Sequence, residues 1–226
     1  MAASTSSSGS SGNPGESIAH SERLALCDLL EQVGPLAPTL CEGWATSDLA
    51  AHLFVRESRP WAGIGILFPA FAGFTQHTMD GAKRSLGYDG LLRHIRSGPP
   101  LVMKPLDSRV NAVEYFIHHE DVRRAGVSTA TTAAAPRDDP ALDAALWTNL
   151  KRAGRILTRK VKGTGLELVA PGHGSFTARQ GSPVVTITGG PQELMLYLFG
   201  RKSAALVELA GPEQARRVVE EANLGL

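Results

Sequence analysis

The stretch Ser128-Thr-Ala-Thr-Thr-Ala-Ala-Ala-Pro136 is low in complexity and carries nothing that could anchor a core, so it divides the chain into two unlike halves. Before it, apolar residues recur at helical spacing; after it, short β-type runs alternate with helices. The expected organisation is α+β and two-domain, with a helical bundle over residues 17–127, a linker over 128–138 and a small α+β domain over 139–226. Residues 1–16, rich in Ser, Gly and Ala, bury too little to order themselves and read as a disordered tail, natural or left from expression.

In the first half, Leu24, Leu26, Cys27, Leu29, Leu30 and Val33 mark an amphipathic helix from Ser17, ended by Gly34-Pro35. A second helix is expected after Gly43-Trp44, through Asp48 to Arg59, with Pro60 as its stop. The apolar stretch from Trp61 to Phe74, broken by Pro69 and glycines, reads as a packed loop with short helical turns. A weaker third helix covers Tyr88 to Ser97. The strongest runs from Asp107 to Ala125, with Asp107 or Ser108 as N-cap, Arg123 and Arg124 in the last turn and Gly126 beyond. Four helices with medium connections suggest a bundle.

In the second half, a helix is expected from Asp139 to about Lys160, then strands at Leu166–Ala170, Ser175–Ala178 and Val184–Thr188, the first two joined by a hairpin turn over 171–174. Glu193–Phe199 reads as a helix, Leu206–Leu209 as a short strand and Pro212–Ala222 as a closing helix.

The chain has 23 Lys+Arg against 22 Asp+Glu, a net charge of +1 with no basic cluster, so nucleic acid is not an expected partner. The longest apolar run is too short and too broken to span a bilayer, and no signal-peptide pattern opens the chain; a cytoplasmic protein with no membrane partner is expected. Two cysteines make neither a disulfide framework nor a thiolate zinc site. Cys27 lies on an apolar stripe and reads as core, while Cys41 has no assigned place.

Glu114 and His118 stand one turn apart on the strongest helix. At about 100° per residue, Glu114, His118 and Asp121 share an arc of about 60° bordering Val110, Val113 and Ile117, whereas His119 points away. On the second helix His52 sits at the edge of the side defined by Leu49, Ala50 and Leu53, with Arg56 one turn later. Two imidazoles and a carboxylate on facing helices would hold a divalent metal, Zn2+ first, with Fe2+ or Ni2+ also suited, and leave positions open. Asp121 is placed to orient His118 or His52. The plain alternative is a solvated helix face that pairs His and Glu by chance. His20 and His94 read as surface residues, His77 as a loop residue and His173 as a turn residue, and Gly189-Gly190 as a turn before a helix. No nucleophile elbow, Walker loop or dinucleotide fingerprint is present.

Pro38-Thr-Leu-Cys-Glu-Gly-Trp44, Asp48-Leu-Ala-Ala-His-Leu53 and Arg56-Glu-Ser-Arg-Pro60 resemble the actinobacterial mycothiol-dependent maleylpyruvate isomerase family, within the DinB-like superfamily of metal-binding helical bundles. Asn111-Ala-Val-Glu-Tyr-Phe-Ile-His-His-Glu-Asp-Val-Arg-Arg124 looks like its second metal block. The Cys-Glu-Gly-Trp and His-His-Glu-Asp-Val-Arg-Arg blocks look most like a subgroup described only as metal-binding. Val184-Thr-Ile-Thr-Gly189, Glu193-Leu and Phe199-Gly-Arg201 resemble the family's α+β domain. The resemblance implies a DinB-like four-helix bundle in which His52, Glu114 and His118 are the ligands. Family members carry Thr or Ser after the Trp, a place held here by Ala45, so Thr46 is expected to cap the second helix.

Three functions follow. The first is a thiol-cofactor-dependent isomerase or S-transferase, with mycothiol and a small electrophile as partners and Arg56, Arg59 and Arg201 as candidates for holding carboxylates. The second is a non-catalytic metal-binding or stress-response module. The third is a metal hydrolase.

Overall fold

Leu26, Cys27 and Leu30 fall on one face at helical spacing and all three are fully buried, so the first element is the expected amphipathic helix, α1 (Ile18–Val33). The computed structural model describes residues 18–58, 72–98, 104–126 and 135–225, and the side chains of residues 72–74 and 104–110 lie outside that description. The expected tail, Arg59, most of the apolar stretch after it and most of the linker also lie outside the described residues.

Helix α2 spans Thr46–Ser58. Thr46 does not cap it: its hydroxyl donates to the Gly34 carbonyl, tying α2 to the end of α1. The capping contact comes instead from Asp48, whose Oδ2 accepts the Ala45 N–H at 3.0 Å. Half of a capping box therefore survives although its hydroxyl is missing.

Helix α3 (Ala72–Ser97) is longer than the sequence suggests, with a break in helical geometry at Gly87 (φ 63°, ψ 175°). The expected third helix, from Tyr88, is the segment after that break. The segment before it offers only a thin stripe, with Met79 and Ala82 buried and Leu86 partly so. His77 is thus an exposed helix residue and not a loop residue.

Helix α4 (Lys104–Arg123) starts earlier than the expected cap at Asp107 or Ser108. Pro105 is tolerated in the first turn because the N–H it lacks would have no partner there. α1 packs along α4 and α2 along α3.

Helix α5 (Pro140–Leu157) starts as expected, with the Asp139 carboxylate accepting the Leu142 N–H and Pro140 in the first turn. Strands β1 (Gly165–Ala170) and β2 (Gly174–Arg179) pair antiparallel across the expected hairpin turn. Strand β3 (Val184–Thr188) runs parallel to β1, and β4 (Glu208–Ala210) antiparallel to β3, giving the order β2-β1-β3-β4. Gly165 and Gly181 meet backbone to backbone: a Cβ on Gly165 would lie 2.5 Å from the Gly181 carbonyl oxygen. Helices α6 (Pro191–Leu198) and α7 (Glu213–Glu221) complete the chain, α6 opening at the expected glycine turn with Gly190 as its cap. The architecture is mixed α+β, with seven α-helices and one four-stranded sheet among the described residues.

Among the described residues, buried side chains form two clusters. One joins Leu26, Leu30, Leu49, Leu53, Leu91 and Tyr115. The other joins Leu142, Leu146, Leu166, Ile187, Leu194 and Leu198 with Val113, Phe116 and Ile117 of α4. Helix α4 therefore contributes to both, with Tyr115 and Val122 in the first and Val113, Phe116 and Ile117 in the second.

Candidate metal centre

His52 from α2 and the Glu114/His118 pair from α4 are brought together. His52 Nε2 lies 3.5 Å and His118 Nε2 3.3 Å from the same oxygen, Glu114 Oε1. The two imidazole rings meet edge to face with centroids 5.3 Å apart, and Trp44 packs 5.1 Å from the His52 ring. Both histidines are buried, at 6% and 7% exposure, which leaves little water to compete for their nitrogens.

Asp121, one turn beyond His118 and fully buried, takes up the other nitrogen: His118 Nδ1 is 3.0 Å from Asp121 Oδ2. This fixes the ring and leaves Nε2 facing Glu114 and His52. Arg201, from the turn after α6, grips the same carboxylate with Nε at 2.8 Å from Oδ1 and Nη2 at 2.7 Å from Oδ2, while its Nη1 donates to the Phe199 carbonyl. Arg56 donates to Asn111 Oδ1 at 2.6 Å, and its Nε lies 3.4 Å from Glu114 Oε1. Arg59 is not among the described residues.

Sequence reasoning left Cys41 without a place, yet its Sγ lies 3.2 Å from Asp121 Oδ2 and 3.6 Å from Arg201 Nη2. The loop carrying it is pinned to α4 by the Leu40 N–H, which donates to the Asp121 carbonyl at 2.9 Å, and is closed on itself by Thr39 Oγ1 donating to the Trp44 carbonyl. No periodicity marks such a loop residue. Asn111 and Trp44 carry no periodic signal either and stood out only within the blocks that resemble the family. A cavity of about 290 Å³ opens beside this cluster, lined by Cys41, Glu42, Arg201 and Ser203.

Burial lowers the His52 pKa and keeps its imidazole neutral, the form that can ligate. Burial pulls the other way on Glu114, but hydrogen bonds from His118 and His52 outweigh it and hold the carboxyl well below its usual range. Burial likewise opposes charge on His118, yet Asp121, Cys41 and Glu114 together raise it well above an ordinary histidine. Asp121, despite burial, is held down to about 2 by Arg201 and His118. Without a metal, His118 is thus a cation between two carboxylates.

His119 faces elsewhere, as the helical geometry requires. Its Nδ1 lies 4.0 Å from Glu22 Oε2, makes no hydrogen bond, and burial lowers its pKa from 6.5 to about 4. Because the folded pKa is depressed, the neutral ring's contribution is complete above the unfolded value near 6.5 and is lost as pH falls toward 4. Glu22 opposite, its pKa raised by burial, slopes the other way. Urea midpoints measured from pH 7 to pH 4 should therefore fall more steeply for the wild type than for His119→Gln. The difference between the two slopes should integrate to about 3 kcal/mol. Parallel slopes would show that His119 is not buried as described.

No family model matches the chain, and no curated protein matches it in sequence. Two solved structures do match in fold. One is the mycothiol-dependent maleylpyruvate isomerase, with a TM-score of 0.54; the other is a histidine-to-alanine mutant of that enzyme, at 0.55. Each is 18% identical and covers 85% of this chain and 90% of its own. The chain shares the fold of that isomerase. The likeness supports a distant structural relationship. No helix among the described residues is long and apolar enough to cross a membrane.

Proposed function

We propose that the chain is a divalent-metal protein of the thiol-dependent isomerase or S-transferase class, with His52, Glu114 and His118 as the ligands. In this reading a helical N-terminal domain (17–127) holds the ion and the α+β domain (139–226) brings Arg201 to its edge. The observation that carries it is the convergence of two Nε2 atoms on one carboxylate oxygen at 3.3 and 3.5 Å. Tetrahedral Zn2+ with metal–ligand bonds of about 2.0–2.1 Å separates its donors by about 3.3 Å. The donor atoms of the three residues all lie within 4.8 Å of one another, so the group fits with little movement.

When bound, the ion would supply a Lewis-acid charge that favours the thiolate form of a small-molecule thiol such as mycothiol. The protein's part is to prepare the site. Asp121 holds His118 Nδ1, so that Nε2 is the nitrogen presented. Trp44 and the helix packing keep bulk water off His52. Arg56, with its side chain 22% exposed, and Arg201, at 23%, supply positive charge for the carboxylates of a substrate.

A second reading, a non-catalytic metal-binding module, is favoured by the engagement of Arg201, whose nitrogens already serve Asp121, Phe199 and Cys41. Purified protein loaded with Zn2+, then given mycothiol and either maleylpyruvate or another α,β-unsaturated acid, separates the two. Turnover that needs both metal and thiol, and is lost in Glu114→Gln, is the expected result. Retained metal without turnover on several electrophiles would favour the module, and hydrolysis without thiol a metal hydrolase.

A further inference from the structure

Asp121 Oδ2 is a second point of convergence. It lies 3.2 Å from Cys41 Sγ, 3.0 Å from His118 Nδ1 and 2.7 Å from Arg201 Nη2. Cys41 is half-buried beside the cavity, Asp121 is fully buried, and the donor atoms of Cys41, His118 and Asp121 lie within 4.8 Å of one another. A tetrahedral ion bound to one sulfur, one nitrogen and one oxygen separates its donors by about 3.3–3.5 Å. The Sγ–Oδ2 and Nδ1–Oδ2 spacings are within a few tenths of an ångström of that. Beside His118, the cation serving this carboxylate is the Arg201 guanidinium, and the adjoining cavity of about 290 Å³ has room to receive it if it swings away.

We propose that Cys41 Sγ, His118 Nδ1 and Asp121 Oδ2 form a second ligand set that takes a thiophilic divalent ion in place of Arg201, in competition with the His52/Glu114/His118 set. A sulfur–nitrogen–oxygen set is softer than two nitrogens and one oxygen, so it selects Cd2+-like ions more strongly. Binding releases the thiol proton and the Nδ1 proton of His118 to solvent. The imidazole then keeps its remaining proton on Nε2, the nitrogen the other set needs, so a single His118 serves one set at a time. The inference uses different donor atoms from the proposed function, although His118 is common to both; only the competition rests on that reading.

The test is titration of the chelator-stripped full chain with Cd2+, kept reduced by a phosphine, following the ultraviolet sulfur-to-cadmium charge-transfer band. Wild type should show a band saturating at one ion per chain. The band should vanish in Cys41→Ser and persist in His52→Ala. Cys27 is an internal control, since it is fully buried with its thiol pushed up to about 11. Absence of the band in wild type, its survival in Cys41→Ser, or its loss in His52→Ala would each overturn the proposal. The last would place the thiol in the other set. A Cys41-dependent band in a protein that binds no Zn2+ would uphold this inference while removing the proposed function.

Discussion

His118→Ala should lose stoichiometric divalent metal, with affinity falling about 100-fold or more, while His119→Ala keeps it. Removing only an outer hydrogen-bond partner of a ligand costs about 10- to 100-fold in affinity. Loss of the ligand itself must cost at least the upper end of that range. The adjacent histidine is the sharpest control, because the two side chains differ by about 100° around α4 and therefore meet different neighbours. His118 faces Glu114 and Asp121, and His119 faces Glu22. Asp121→Asn should fall between the two, since the amide keeps the shape but holds Nδ1 less firmly. Metal-to-protein ratios after dialysis, with circular dichroism to check folding, decide the matter. A His118→Ala protein that retains one ion per chain would place the ligands elsewhere.

Arg124→Met should be strongly destabilising, by about 3–5 kcal/mol, because it strands the buried Glu193 carboxylate. Arg124 is 3% exposed and lies at the end of α4. Its Nε donates to Glu120 Oε2 at 2.6 Å, its Nη1 and Nη2 grip Glu193 at 3.0 and 2.7 Å, and Nη1 also reaches the Ala204 carbonyl at 2.7 Å. Glu193 in turn accepts the Leu206 N–H at 2.7 Å. These bonds fasten the α6–β4 segment, which carries Arg201, to α4 one turn beyond Asp121. Without the guanidinium, Glu193, at 2% exposure, would keep only the Leu206 N–H, whereas Glu120 would still be held by Arg123 and Arg137. Urea unfolding at constant m-value measures the loss. The double variant Arg124→Met/Glu193→Leu should regain part of it, since removing both partners is far less costly than removing one. A double variant no more stable than the single one would show that packing, not uncompensated charge, sets the cost.

Much of the local structure was legible because its causes are local. Leu26, Cys27 and Leu30 announce α1 by spacing, Asp139-Pro140 announces α5, and the turn over 171–174 announces the β1–β2 hairpin. The failures have causes as well. The segment of α3 before Gly87 buries too few side chains to show a period, and Thr46 was expected to cap when its hydroxyl had a partner outside its own helix. Arg124 read as a cation suited to a helix end, and nothing in its neighbourhood along the chain revealed that Glu193 waits 69 residues away.

The candidate site divides along the same line. Residue spacing alone was enough to show that Glu114, His118 and Asp121 share a face and that His119 does not, because the turn of a helix is set by backbone bonds spanning four residues. It showed too that His52 lies at the edge of an apolar face. It took the folded chain to show that His52 meets Glu114 across 62 residues, and that Cys41 and Arg201, each 80 residues from Asp121 on opposite sides, close on the same carboxylate. Those meetings depend on side-chain packing between helices and on a loop hydrogen-bonded to the end of α4. Neither leaves a periodic trace in the order of residues.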